Sequence, residues 1–236
     1  MAELHYKKAV QPFSHTRKKF TFPMTESCTP QPPGAYPSDC EVMDGYRKMA
    51  RERELNSLSG IDPLVLEKAK NIKLLLLDVD GVLTDAALLY TSNGEECKAY
   101  NTQDGFGISL LHQAGLETGI ITARKSAMVE RRANELNITH IYQGARKKNE
   151  AFKEILKSTG IKPFEVAYMG DDWLDLILLQ QVGLAVTPAN GADELKSVVH
   201  YITSRPGGHG AVRDCCDLIL KARGDHQKLL RQYTLG

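Results

Sequence analysis

Short apolar runs alternate with longer amphipathic stretches from residue 62 onward. The first run, Leu74 to Leu77, has no polar position, which is typical of a strand buried on both faces. The alternation predicts an α/β fold, a Rossmann-like parallel sheet with helices on both faces. The predicted strands are 72–78, 118–122, 140–142, 166–169 and 184–186, and the predicted helices are 62–70, 105–114, 126–136, 148–158 and 172–180.

A different pattern follows the first strand, where two short strand-like runs lie on either side of Asn93-Gly94. This dipeptide favours the tight two-residue turn of a β-hairpin because both residues tolerate positive φ angles. The sequence therefore predicts a small hairpin flap over residues 86–100.

Residues 1–60 lack the alternation, and six of the chain's 10 prolines fall within the first 37 residues. Proline interrupts both helices and sheets, so we predict a flexible or disordered extension over 1–60, with a short helix in 46–57. An incidental tail and a partner-binding arm both remain open as its role. The α/β domain is expected to cover 61–236.

Composition narrows the class of protein. A net charge of +1 gives no bulk attraction to nucleic acid or to an anionic membrane. No apolar stretch has the roughly 20 residues of a spanning helix, and the amino terminus lacks the apolar core of a signal peptide. The five cysteines show no disulfide-framework spacing, and Cys215 and Cys216 are expected to be packing residues. We expect a cytoplasmic protein without nucleic-acid or membrane partners.

Polar side chains follow four of the predicted strands. Asp78 and Asp80 follow the first, Thr122 ends the second, Lys148 opens the helix after the third, and Gly-Asp-Asp-x-x-Asp (170–175) follows the fourth. Because the carboxyl ends of parallel strands meet at one edge of a sheet, these residues should lie together. Each alone has an ordinary alternative, such as a helix cap, a strand residue or a solvated lysine, but the ordered set favours a site.

The residue types suit phosphoryl transfer. Asp78 would attack phosphorus and form an aspartyl phosphate, and Asp80 would act as general acid and then general base. Thr122 and Lys148 would bind the phosphate oxygens. A carboxylate that approaches a phosphate dianion needs counter-charge, which favours a Mg2+ cofactor held by oxygen ligands.

These four motifs resemble those of the haloacid-dehalogenase superfamily of aspartyl-phosphate phosphotransferases, over about residues 65–222. The resemblance implies the same roles for Asp78, Asp80, Thr122 and Lys148. It also implies metal ligation by Asp78, Asp171 and the backbone carbonyl of Asp80. Asp175 would orient metal-bound water, and Asp172 would support the site or cap a helix. Ala123 stands where many relatives have Gly.

About 40 residues separate Asp80 from Thr122, too few for a large cap domain, and one helix separates Lys148 from Gly170. The chain is similar to a capless, homotetrameric branch of the superfamily that hydrolyses the phosphate ester of an eight-carbon sugar acid for lipopolysaccharide synthesis. In such an assembly the hairpin would lie in a subunit interface. The strings that carry this similarity are 80–85, 100–107, 121–126, 142–144 and 207–214.

The similarity implies that Arg124 binds the carboxylate of the sugar acid, although a surface arginine is the ordinary alternative. Arg131 and Arg132 are adjacent on a helix, so only one can face the site. His209 stands where Arg is common in a carboxyl-terminal tail that helps to close the site. Two other functions stay open, a phosphatase for a nine-carbon sugar acid, whose relatives tend to carry an acidic residue at position 124, and a silent oligomerisation module related to sugar-acid cytidylyltransferases.

Overall fold

The computed structural model describes residues 39–92 and 96–234. The chain divides into two compact units, Met1–Met49 and Ala50–Gly236. Helix α1 (Asp39–Leu58) is longer than the helix predicted over 46–57, and its Cys40 and Tyr46 are exposed. Residues 1–38 lie outside the described part of the chain, so the extension over 1–60 stays a prediction.

A six-stranded parallel sheet forms the centre of the second unit, with the strand order β5-β4-β1-β6-β7-β8. The five predicted strands are confirmed. The sixth, β8, was not predicted because two residues are too few to show a pattern. The strands are β1 (Leu74–Leu77), β4 (Glu117–Thr122), β5 (His140–Gln143), β6 (Val166–Met169), β7 (Leu184–Thr187) and β8 (Tyr201–Ile202).

Helices connect the strands, and several begin where the sequence supplies a cap. The Asp62 carboxylate accepts from the Leu64 N–H at 2.8 Å, and Ser126 caps α4 in the same manner. The helices after α1 are α2 (Pro63–Lys70), α3 (Thr102–Gln113), α4 (Ala127–Glu135), α5 (Lys148–Thr159), α6 (Leu176–Leu179), α7 (Asp193–Lys196), α8 (Ala211–Arg223) and α9 (His226–Thr234).

The stretch 172–180 differs from the single helix that the sequence predicts. It begins as a 3₁₀ turn, Trp173–Asp175, and continues as the one-turn helix α6. The cause is local, because Asp172 caps the turn while the Asp175 side chain accepts from the backbone N–H of Asp172.

Two apolar cores lie on opposite faces of the sheet. Leu74 and Leu76 pack into one core with Phe152 of α5, and Leu75 and Leu77 pack into the other with residues of α2, α3 and α8. All four leucines are fully buried. The uninterrupted apolar run of β1 is thus explained by helices on both faces, as predicted.

The predicted hairpin exists as two very short antiparallel strands, β2 (Leu89–Tyr90) and β3 (Glu96–Cys97). Its expected turn at Asn93-Gly94 lies outside the described residues. In the described chain between β1 and β4, only this hairpin and α3 form regular structure, which confirms that no large cap follows the first strand. No helix in the described ranges is both long and apolar enough to cross a membrane.

The strand order determines where a site can form. The chain passes from β1 to β4 and β5 on one side, and then returns to place β6, β7 and β8 on the other side of β1. The connection after β1 and the connection after its neighbour β6 therefore run in opposite directions across the sheet, and the carboxyl ends of β1, β4 and β6 border one crevice.

Candidate active site

Asp78 follows β1 directly, and its backbone N–H donates to the carbonyl of Met169 at 3.0 Å. This bond extends the pairing of β1 with β6 by one residue and fixes the direction in which Asp78 leaves the sheet. Beside it, Gly170 and Asp171 follow β6. The first and fourth sequence motifs are therefore neighbours, as the parallel sheet requires.

Lys148 contributes a buried positive charge. Its Nζ lies 3.0 Å from Asp78 Oδ1 and 2.6 Å from Asp175 Oδ1, and its side chain is only 3% exposed. Burial lowers the pKa of Lys148, but the two carboxylates outweigh that effect and raise its pKa above the ordinary value. Lys148 is therefore a stable cation in direct contact with the predicted nucleophile.

Asp78 is subject to opposing influences. Burial raises the pKa of Asp78, the Lys148 ammonium lowers it, and the Asp175 charge raises it again, with a result of about 6. The carboxyl group is thus mainly ionised at neutral pH, which an attacking nucleophile requires.

Asp175 supports the site through hydrogen bonds at both of its carboxylate oxygens. Its Oδ1 accepts from Lys148 Nζ at 2.6 Å and from the Tyr168 hydroxyl at 2.5 Å. Its Oδ2 accepts from the backbone N–H groups of Asp171 and Asp172, at 3.0 and 3.3 Å. A carboxylate has about four acceptor positions, so protein donors occupy all those of Asp175. This side chain holds the loop and the lysine in place.

Three carboxylates converge at the crevice, because oxygens of Asp78, Asp171 and Asp175 all lie within 4.8 Å of one another. Burial raises the pKa of Asp171 most, and the charges of Asp78 and Asp175 add to the rise, with a result of about 7. Lys148 offsets only part of this negative charge. Hard oxygen donors that are incompletely neutralised suit Mg2+. Since Asp175 is already fully hydrogen-bonded, Asp78 and Asp171 are the carboxylates that fit as ligands of Mg2+.

Gly81 allows the loop after β1 to approach this cluster. Its φ angle is +89°, and a Cβ atom at this position would lie 1.9 Å from Asp171 Oδ2. Both the backbone conformation and the space therefore require glycine.

The Asp80 carboxylate is paired elsewhere. Its Oδ1 lies 2.5 Å from Lys98 Nζ and its Oδ2 lies 3.6 Å from Arg124 Nε, so it stands apart from the three clustered carboxylates. This placement is compatible with two predictions, that the backbone carbonyl of Asp80 binds the metal and that its side chain transfers protons.

Thr122 and Arg124 occupy the β4 side of the crevice. Thr122 is 2% exposed, and its carbonyl accepts from the Ala145 N–H at 2.9 Å, which joins the end of β4 to the loop before α5. Arg124 is more open, and its guanidinium donates to the Tyr90 hydroxyl at 3.2 Å. Arg124 therefore lies between Asp80 and the hairpin, at the rim of the site.

Three other predicted residues lie in different surroundings. Asp172 is an N-cap, because its Oδ1 accepts from the Trp173 N–H at 2.7 Å. Arg131 extends into solvent and pairs with Glu135. Arg132 stacks on the ring of Tyr100, next to α3.

The glycine-rich carboxyl-terminal segment reaches the first motif through its backbone. The Gly208 N–H donates to the carbonyl of Val82 at 3.0 Å, and a Cβ atom on Gly207 would lie 1.7 Å from the carbonyl oxygen of Gly81. The neighbouring His209 side chain is exposed. Glycine is needed here for the close approach of two backbones.

Sequence reasoning missed two residues of this site. Tyr168 lies within a fully buried strand, where a hydroxyl group needs a partner, so its position two residues before the Gly-Asp-Asp motif was an available signal. Lys98 gave no such signal, because a single lysine after a hairpin is usually solvated. Its contact with Asp80 depends on how the hairpin folds back.

Comparisons with known proteins show which family the chain belongs to. Residues 134–213 match the family model for haloacid dehalogenase-like hydrolases. The chain is 46% identical over 164 residues to the 3-deoxy-D-manno-octulosonate 8-phosphate phosphatase KdsC of Salmonella typhimurium, covering 70% of this chain and 87% of that protein. The chain belongs to this phosphatase family. The KdsC of Escherichia coli K12 is 47% identical over 160 residues, which cover 68% of this chain and 85% of that protein.

Solved structures of family members have the same fold. A crystal structure of the Moraxella catarrhalis phosphatase, in complex with magnesium, phosphate and KDO, has a TM-score of 0.70 and 44% identity, covering 72% of this chain and 97% of that chain. The Yersinia pestis phosphatase has a TM-score of 0.68 and 44% identity, covering 69% of this chain and 88% of that chain. The chain is therefore a phosphatase with the haloacid dehalogenase-like fold, as the sequence predicts.

The role of Tyr168 can be tested by Tyr168→Phe, which keeps the buried ring and removes the hydroxyl. We expect the free energy of unfolding to fall by about 1–3 kcal/mol, because Asp175 and Lys148 each lose a hydrogen-bond partner in a buried site. Chemical denaturation measures this change, and Tyr46→Phe, at an exposed position, is the matched control. Equal stability of the two variants would show that the hydroxyl contributes nothing.

Proposed function

We propose that the chain hydrolyses 3-deoxy-D-manno-octulosonate 8-phosphate to the free sugar acid and phosphate, with Mg2+ and an aspartyl-phosphate intermediate on Asp78. The observation that carries the proposal is the buried Asp78 carboxylate, which lies 3.0 Å from the Lys148 ammonium at the end of the central strand. Family membership supports the substrate, because relatives of 46% and 47% identity carry this activity in their names. In this role the enzyme would act in lipopolysaccharide precursor synthesis.

The reaction takes place in two steps. In the first, an Asp78 oxygen forms a bond to phosphorus while the bond to the sugar oxygen breaks, and Asp80 donates a proton to the departing oxygen. In the second, Asp80 removes a proton from water, the water oxygen attacks phosphorus, and the bond to Asp78 breaks. Each group returns to its starting state, and the proton given by Asp80 is regained.

Charge control is the main task of the surrounding residues. Lys148 offsets the charge of Asp78 and of the phosphoryl oxygens, and the Thr122 hydroxyl would donate a hydrogen bond to one of those oxygens. Asp78, Asp171 and the backbone carbonyl of Asp80 would hold Mg2+. When bound, Mg2+ supplies the positive charge that lets an anionic nucleophile approach a phosphate dianion.

Arg124 is the proposed ligand of the substrate carboxylate. The guanidinium lies at the rim of the site, next to Asp80 and to Tyr90 of the hairpin, and 41% of its side chain is exposed. A planar guanidinium can bind a carboxylate with two parallel hydrogen bonds. The arginine also favours the eight-carbon substrate over the nine-carbon alternative, whose relatives tend to carry an acidic residue here.

Assembly as a homotetramer would cover the open site. The hairpin exposes Leu88, Leu89 and Tyr90, the last two with more than half of their surface accessible. Exposed apolar side chains on a short strand pair favour burial against another chain. We also propose a cytoplasmic location, because Cys215 and Cys216 are free, buried thiols, which suits a reducing compartment.

The nucleophile is tested by Asp78→Asn. We expect turnover to fall by at least about 1000-fold, because an amide cannot form the acyl phosphate. Phosphate release in the presence of Mg2+ measures the change, and wild-type activity should disappear with a chelator and return with Mg2+. Asp193→Asn, at a side chain that is 93% exposed, should behave as wild type. Near-normal turnover by Asp78→Asn would exclude the mechanism.

Substrate choice is tested by Arg124→Ala. We expect kcat/KM for the sugar-acid phosphate to fall about 10- to 150-fold, because this is the usual effect of losing one charged hydrogen-bonded pair. A neutral phosphomonoester should be hydrolysed about as before, since it has no carboxylate. Arg131→Ala, on the solvent side of α4, is the control. An equal loss for both substrates would assign Arg124 to the phosphate site or to the fold.

The assembly is tested by light scattering on the wild-type protein and on Leu89→Glu. We expect a tetramer for the wild type and smaller species for the variant, because a carboxylate at the hairpin would be buried without a partner. Lys153→Glu, on the exposed side of α5, should leave the mass unchanged. A fully active wild-type monomer would contradict the proposal.

A further inference from the structure

The Lys98 side chain is buried, which is rare for a lysine. It directly follows β3, and its neighbours Cys97 and Ala99 are exposed, yet the Lys98 side chain is only 1% exposed. A buried ammonium group is costly unless an anion or several acceptors compensate it. Among the described residues it contacts the carboxylate of Asp80, with Nζ 2.5 Å from Oδ1.

The two oxygens of Asp80 therefore have different surroundings. Oδ1 is held by the short contact with Lys98, whereas the nearest Arg124 nitrogen lies 3.6 Å from Oδ2, beyond hydrogen-bond distance. A carboxylate held at one oxygen keeps a fixed plane, and its other oxygen remains available to exchange a proton.

We propose that Lys98 is a positioning residue for proton transfer, which holds Asp80 by Oδ1 so that Oδ2 serves as general acid and base. The inference rests on the proposed function, in which Asp80 carries the proton in both steps. Lys98 itself donates no proton to the substrate, and the bonds that form and break are those of the two steps already described.

The same contacts connect the hairpin to the acid/base group. Lys98 follows strand β3 and holds Asp80 directly, while Tyr90 of strand β2 reaches the same carboxylate through Arg124, with 3.2 Å between the hydroxyl and the guanidinium. Both strands of the hairpin therefore lead to Asp80. A hairpin of two residue pairs has little stability of its own, so these contacts fix its place beside the crevice.

A substrate with a good leaving group separates positioning from general damage. Nitrophenolate leaves 4-nitrophenyl phosphate without needing a proton, so the first step does not require Asp80 as an acid, but the second step still requires it as a base. A misplaced Asp80 should therefore preserve a fast burst of about one nitrophenolate per site and slow the turnover that follows. Damage to Asp78 or to the fold would slow both phases.

The variant Lys98→Met, close in length and uncharged, is tested by stopped-flow absorbance with 4-nitrophenyl phosphate and Mg2+. We expect a burst near the wild-type rate and a steady state about 10- to 100-fold slower, part of the contribution of general acid–base catalysis. With the sugar-acid phosphate, kcat should fall by at least as much with little change in KM. Lys153→Met, at an exposed lysine of α5, should match the wild type.

A double-mutant comparison shows whether Lys98 acts through Asp80. In the Asp80→Asn background, Lys98→Met should cause little further loss, because the group that it positions is already absent. Multiplied losses, an equally slowed burst, or unchanged turnover in Lys98→Met would overturn the inference. Unchanged turnover in Asp80→Asn alone would instead show that the proposed role of Asp80 is wrong, and the inference would fail with it.

A conservative variant provides a second test if Lys98→Met does not fold. Lys98→Arg keeps the charge and changes its reach, so it should fold and show the same burst followed by a smaller reduction in turnover. Wild-type turnover in Lys98→Arg together with an unfolded Lys98→Met would mean that the buried charge serves stability alone, and would also overturn the inference.

Discussion

The contact between Lys148 and the carboxylates of Asp78 and Asp175 is the interaction on which the rest of the site depends. The three groups come from α5, from the end of β1 and from the turn after β6, and they meet where little water can screen them. Without the ammonium, two buried carboxylates would repel each other and one would take up a proton. With it, Asp78 remains anionic and the three elements are held in one arrangement. The charge balance of the proposed mechanism and the local fold thus depend on the same interaction.

The parallel sheet with helices on both faces explains why the sequence was informative about the fold. The run Leu74–Leu77 has no polar position because helices cover both faces of β1, and the motif residues follow strand ends because a parallel sheet places them at one edge. The predicted topology alone was enough to place Asp78, Lys148 and Asp171 close together. β8 could not, since two residues carry no period, and the 3₁₀ turn at Trp173 depends on a cap that forms only once Asp175 is in place.

The residues that sequence reasoning missed share one physical property. Lys98 and Tyr168 act through contacts between segments far apart in the chain, 18 residues to Asp80 in the first case and 20 residues to Lys148 in the second. The sequence could show that the buried Tyr168 hydroxyl needs a partner, but only the three-dimensional structure shows which groups Tyr168 and Lys98 face. Hydrogen bonds also clarify two acidic residues. The resemblance left Asp172 as a support of the site or a helix cap, and its hydrogen bond shows a cap. The resemblance assigned Asp175 to orient metal-bound water, and its hydrogen bond shows that it holds Lys148.

The close packing of the carboxyl-terminal glycines on the first motif has a consequence for biosynthesis. Val82 receives its backbone partner from Gly208, and the buried Asp104 of α3 accepts from the N–H groups of Gly210 and Arg213. A nascent chain on the ribosome has made β1 and the proposed nucleophile, Asp78, long before these partners exist. The loop that carries Asp80 and Gly81 thus acquires its final support only after residues 207–213 have emerged. The frame around the proposed nucleophile is therefore completed late in synthesis, and a chain that is cut before residue 207 lacks part of that frame.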